Sequence, residues 1–118
     1  MGTWGVGIYQ NDISADVKED YIAKLKSGKS DKVALKEILS EYQEDMEDID
    51  CKYDFYFGLA DTLWKKGRLT EKIKTIALQL IEEDRVSQRW QTERIRYERS
   101  KVLDKLKVQL EETMPEYK

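Results

Sequence analysis

The chain reads as an all-α protein, a bundle of about five helices, and three observations predict this. Its 118 residues contain one proline, Pro115, close to the end, so no interior position forces a helix to break. Apolar side chains recur three and four residues apart through most of the chain, which is the repeat of a helix with one buried face. Gly28 and Gly67 fall where two such runs stop, as glycines that end helices do. With 40% apolar and 38% charged residues, the composition suits a core with solvated charged faces and is too apolar for a disordered chain. The length implies a single domain, residues 1–118, able to bury a core of its own.

Residues 1–11 predict an N-terminal arm packed on the helices. Gly2, Gly5 and Gly7 allow close backbone approach, and Trp4, Ile8 and Tyr9 are too large and apolar to be left in water. Trp4 is the expected anchor. Asn11 or Asp12 then caps a helix over about residues 12–26, whose stripe is Ile13, Val17, Tyr21 and Leu25. Gly28 closes it, and Ser30 or Asp31 opens a second helix to about residue 46, with Leu35, Ile38, Leu39, Tyr42 and Met46 on its buried face. The short connection makes these two antiparallel neighbours.

A third helix, about 52–66, is apolar on nearly every side: Tyr53, Phe55, Tyr56, Phe57, Leu59, Ala60, Leu63 and Trp64. That marks the central helix of the bundle. After Gly67, Thr70 caps a fourth helix with Ile73, Ile76, Ala77, Leu80 and Ile81 on its buried face. A long last helix is expected from near Val86 to about Thr113, its stripe beginning with Val86, Trp90 and Tyr97 and continuing through Leu103, Leu106 and Leu110. Apolar residues off that line, Ile95, Val102 and Val108, suggest a second packing surface or a face for another chain.

Two strings carry a resemblance. Met1-Gly2-Thr3-Trp4-Gly5-Val6-Gly7-Ile8-Tyr9-Gln10-Asn11-Asp12, with Asp16 after it, resembles the M-G-x-W-G-x-G-[IF]-[FY]-x-N-D opening of a family of small bacterial proteins. Leu59, Ala60, Trp64, Lys65, Gly67, Arg68 and Leu69 resemble the same family's L-A…W-K-x-G-R-L segment. Leu63 stands where that family carries a polar residue beside the tryptophan. The family has no settled activity, so the resemblance implies a bacterial origin and little chemistry.

Several function classes are disfavoured by composition. The chain has no histidine, which removes imidazole acid–base chemistry, His-activated nucleophiles and most zinc sites. Cys51 is alone, so no internal disulfide forms and no partner activates the thiol. No apolar run has the length of a membrane span, and the N-terminus lacks a signal-peptide pattern. The expected location is the cytoplasm.

Charge is unevenly shared. Residues 1–61 carry 14 acidic and 7 basic side chains, a balance of −7, and residues 62–118 carry 10 and 14, a balance of +4. Such polarity steers charged partners or joins the two halves in one fold.

Three candidate sites follow. Asp12, Asp16 and Asp20 lie four apart on one helix face, and they would bind a hard divalent metal if another carboxylate such as Asp61 joined them; capping and solvation are the favoured account of them. Arg89, Arg96 and Arg99, with Trp90 and Tyr97 between them, resemble a nucleic-acid-binding helix, but the chain is acidic, with a pI near 5.1, and Glu93, Glu98 and Asp104 interrupt the face. Gly5-x-Gly7 has neither the strand nor the Lys-Ser/Thr of a phosphate loop. No cofactor is expected.

The leading expectation is a non-enzymatic protein–protein interaction module, akin to immunity proteins or defence modulators. It would bind a protein partner through Trp4, Arg89, Arg96 and Arg99 or self-associate through the last helix. The alternatives are a divalent-metal enzyme using the aspartate column and a nucleic-acid binder using the last helix.

Overall fold

A computed structural model describes residues 7–9, 11–87 and 89–115. They form six α-helices: α1 (Asp12–Lys26), α2 (Asp31–Glu41), α3 (Gln43–Glu47), α4 (Cys51–Lys65), α5 (Glu71–Arg85) and α6 (Glu93–Glu111). Among the described residues there is no β-strand, and no helix is long and apolar enough to cross a membrane. The all-α expectation holds, with six helices in place of about five. Trp4, the expected arm anchor, lies outside the described residues.

α4 is the axis of the structure. Every residue from Tyr53 to Leu63 is buried, and α1, α3, α5 and α6 all pack on it. α1 lies tight against it where Gly58 faces Ser14: a Cβ added at Gly58 would sit 2.6 Å from Ser14 Cβ and 2.8 Å from its Cα. Val17 and Tyr21 of α1 are fully buried against this surface, with Ile13 and Leu25 packed at its margin.

Local signals set the boundaries. Asn11 accepts from the Ser14 N–H, Ser30 from Val33, Thr70 from Ile73 and Thr92 from Ile95, each satisfying an orphan donor of a first turn. Gly28 (φ 99°) and Gly67 (φ 73°) take the left-handed conformation. Behind them, Lys29 N–H bonds Lys24 O at 3.1 Å and Arg68 N–H bonds Leu63 O at 2.8 Å, the six-to-one bond that closes a helix end through a left-handed residue.

The structure departs from the sequence reading in two places. The second expected helix is divided at Tyr42 (φ −106°, ψ 22°) into α2 and α3. The bend sets the Tyr42 ring 5.5 Å from that of Phe55 while its hydroxyl donates to Asp20. The last helix starts at Glu93, not near Val86. Val86 and Tyr97 are exposed, and Trp90 is buried from the segment that joins α5 to α6. The true buried stripe of α6 is Arg99, Leu103, Leu106 and Leu110.

Gly58→Ala is expected to destabilise the fold by about 1–3 kcal/mol, the usual effect of overpacking a tight contact. Its neighbours are backbone and a short side chain that cannot swing away. Urea denaturation followed by circular dichroism measures the loss; an unchanged midpoint would mean that the α1–α4 crossing is not tight.

Candidate functional site

Two carboxylates on the all-buried helix organise the polar interior. Asp54, in the first turn of α4, and Asp61, two turns later, are both nearly inaccessible. A buried carboxylate must be paired or hydrogen-bonded, and each draws in a different set of partners.

Around Asp54 the network is ionic. Asp84, in the last turn of α5, is 0% exposed. It accepts from Trp90 Nε1 at 2.9 Å, Arg89 Nε at 2.9 Å and Arg99 Nε at 3.0 Å. Arg89 also donates through Nη2 to Asp54 at 3.1 Å and through Nη1 to the Asp50 carbonyl at 3.2 Å. The Arg99 guanidinium lies 3.9 Å from Asp54. Both guanidinium groups sit over aromatic faces, Arg89 against Tyr53 and Trp90, Arg99 against Phe57 and Trp90, a favourable arrangement for a planar cation. Two aspartates and two arginines leave the cluster formally neutral. Burial disfavours both cations; for Arg89 the bonds to Asp84 and Asp54 outweigh it and raise the pKa, whereas Arg99 is pulled below its ordinary value, burial outweighing Asp84.

Around Asp61 the network is a tether. Tyr9 donates its hydroxyl to Asp61 Oδ2 at 2.5 Å, and Gln109 Nε2 donates to Oδ1 at the same distance. Lys65 Nζ lies 3.1 Å away. Burial, then the Asp61 charge, pushes the Tyr9 phenol far above its usual range. Asp61 thereby joins the segment before α1 to α4 and α6.

Beside the ionic cluster lies a cleft of about 680 Å³. The start of α1 supplies Asn11, Asp12 and Ile13; the α3–α4 connection and the first turn of α4 supply Asp48, Asp50, Cys51 and Asp54; the segment before α6 supplies Arg89, Trp90 and Gln91. Four aspartates line it against one arginine. Asp48 accepts from the N–H groups of Asp50 at 2.8 Å and Cys51 at 2.9 Å, so it caps the entry to α4, and those bonds hold its carboxyl below the usual range. Among the described residues, Asp54 alone of the four has a cation within ion-pair distance. Burial, helped by Asp48, pushes the Cys51 thiol up to about 11.

Each candidate residue except Trp4, which lies outside the described residues, now has a place. Asp12, Asp16 and Asp20 form an exposed column; Asp12 reaches the cleft, and Asp20 accepts from Tyr42. Asp61 is held by Tyr9, Gln109 and Lys65. Among the described residues no three His, Cys, Asp or Glu side chains are grouped to hold a metal ion. Arg89 and Arg99 serve the internal cluster, so their guanidinium groups are engaged by aspartates of the same chain. Arg96 is half-buried on α6. The sequence reading missed Asp84, although a signal existed: Asp84 continues the buried line Ile73, Ala77, Leu80 and Ile81. Arg99 likewise precedes Leu103 by one turn on the buried line of α6.

Comparison with protein-family models, with curated proteins and with solved structures finds no match to this chain.

Asp84→Asn is expected to cost about 3–5 kcal/mol in a urea melt, because two buried guanidinium groups lose their shared counter-charge; a loss under about 1 kcal/mol would mean the cluster is open to water. A second expectation concerns Cys51. Only the thiolate reacts with alkylating agents, so at pH 8 the folded chain should alkylate roughly a hundredfold more slowly than the urea-unfolded chain, the ratio set by two pKa units. The sign follows from linkage. A thiol whose folded pKa is raised contributes stability below its unfolded pKa and loses it as the pH climbs toward 11. A rate profile with an ordinary thiol midpoint in the folded state would contradict this.

Proposed function

We propose that the protein is a non-enzymatic binding module that docks a cationic segment of a protein partner in the acidic cleft. One observation supports this reading above others: Asp12, Asp48 and Asp50 line a cleft of about 680 Å³, and among the described residues the one cation on its wall, Arg89, is paired to Asp54 and Asp84 and reaches Asp50 only at its carbonyl. Carboxylates left in this way raise the local concentration of basic partners and speed their encounter. Ile13 and Trp90 add apolar area among the acids, and Ile49, between Asp48 and Asp50, is 74% exposed. An apolar patch framed by charge is the usual composition of a docking surface. A small acidic helical protein of this kind suits the neutralisation of a toxin or the modulation of a defence protein in a bacterial cytoplasm, the setting that the opening string and the 59–69 segment suggest.

The test is affinity capture with the tagged chain and with an Asp12→Asn/Asp50→Asn variant, at low and high salt. Both substituted residues make no ion pair among the described residues, so the variant should keep its melting temperature. A protein retained by the wild type, weakened by salt and lost with the variant supports the reading. Equal capture by both forms refutes the cleft. Capture of nucleic acid, or a magnesium-dependent rise in melting temperature abolished by Asp16→Asn, would refute the reading in favour of the other two classes.

A further inference from the structure

α6 has two faces. Its buried side, Arg99, Leu103, Leu106 and Leu110, packs on α4 and α5. On the opposite side, Arg94, Tyr97, Lys101, Asp104, Val108 and Glu111 are all exposed. Their spacing is three, four, three, four, three, which sets them in one line along the helix, charged except at Tyr97 and Val108. The order of chemistry along this seam is self-complementary when the helix is reversed. Arg94 then meets Glu111, Tyr97 meets Val108, and Lys101 meets Asp104. On the flank, Glu98 falls beside Lys105, and both are exposed.

We propose that α6 pairs antiparallel with α6 of a second copy of this chain through this seam. The occupant is argued from charge: every charged position of the seam finds its opposite in the same sequence read backwards, which is what a two-fold interface requires of a single surface. Shape agrees. A groove of about 410 Å³ runs beside Val108, walled by Trp64, Asp104, Lys105, Gln109 and Glu112. It lies where the partner's Tyr97 arrives. Tyr97 is 63% exposed and Val108 56%, so both are large apolar groups without cover. The seam is already set in place. Arg85 holds Asp104 at 2.6 Å at the surface, and Lys101 Nζ lies 4.5 Å over the Tyr97 ring. One helix pair about 25 Å long buries less than a standard interface, so the dimer is weak, concentration-dependent and salt-sensitive. The seam is separate from the acidic cleft and stands whether or not that cleft binds a partner.

The experiment is sedimentation velocity of the whole chain, from about 10 μM to about 1 mM, the span of a weak dissociation constant, at low and high salt. The wild type should move from monomer to dimer, less so at high salt. Arg94→Glu places like charges at both ends of the seam, and Glu111→Lys does the same with the opposite sign. Each variant alone should raise the dimer dissociation constant roughly tenfold or more. An equimolar mixture of the two should associate as the wild type does, since both ends are then opposite pairs, and so should the double variant. Both sites are exposed helix ends, and each new charge suits its end of the dipole. Should either variant fail to fold by circular dichroism, Tyr97→Glu serves in its place and should be monomeric. A wild type that stays monomeric throughout overturns the proposal. So do single variants that associate as strongly as the wild type, or a mixture that does not associate.

Discussion

The rest of the structure depends on one constraint: α4 is buried on every side. Eleven consecutive residues, Tyr53 to Leu63, have almost no access to water. A helix in that position cannot leave a polar side chain unmatched, since desolvating a carboxylate without partners costs several kcal/mol. Asp54 and Asp61 therefore recruit the polar groups that meet α4 at its two ends. Asp54 gathers Arg89, Arg99 and, through them, Asp84 and Trp90. Asp61 gathers Tyr9, Gln109 and Lys65. The two networks fasten the start of α1, the segment before α6 and the end of α6 to the same axis. Gly58, between them, lets α1 come close enough for its apolar stripe to pack.

This interior decides which charges are free to act outside. The sequence carries a −7 first half and a +4 second half, and part of that polarity is consumed inside. Arg89 and Arg99 turn inward to meet Asp54 and Asp84, so the second half exposes less positive charge than its composition implies. The acids of the α3–α4 connection, together with Asp12, remain at the surface of the cleft. The ionic cluster also forms one wall of that cleft through Arg89 and Trp90, so the groups that stabilise the interior also hold the acidic surface in shape.

Much of this was legible in the residues. The apolar stripes of α1 and α5, the glycine stops at 28 and 67 and the caps at Ser30 and Thr70 are local devices, and local geometry suffices to read them. The central place of α4 followed from apolar residues on all its sides. The split at Tyr42 was not legible, because a 3.6-residue stripe runs unbroken through Leu39, Tyr42 and Met46, and the contacts of Tyr42 at the bend, to Phe55 and Asp20, are long-range in sequence. The start of α6 was misplaced for a related reason. Val86, Trp90 and Tyr97 are spaced as a stripe, but Trp90 is held by Asp84 from a non-helical segment, and the capping Thr92 was overlooked.

The sequence by itself determined the fold class, the order of the main helices, the burial of α4 and the exclusion of histidine chemistry, since these rest on composition and short-range periodicity. Only the tertiary structure decided which charges are solvated. An arginine on an apolar stripe and an arginine on an exposed face look alike along the chain. The difference lies in whether a carboxylate from another helix waits opposite, as Asp84 does for Arg99 and no residue of the described chain does for the Asp12 side of the cleft. Pairing between helices is long-range in sequence and short-range in space, and so the candidate site emerges only once α1, α4 and the segment before α6 are brought together.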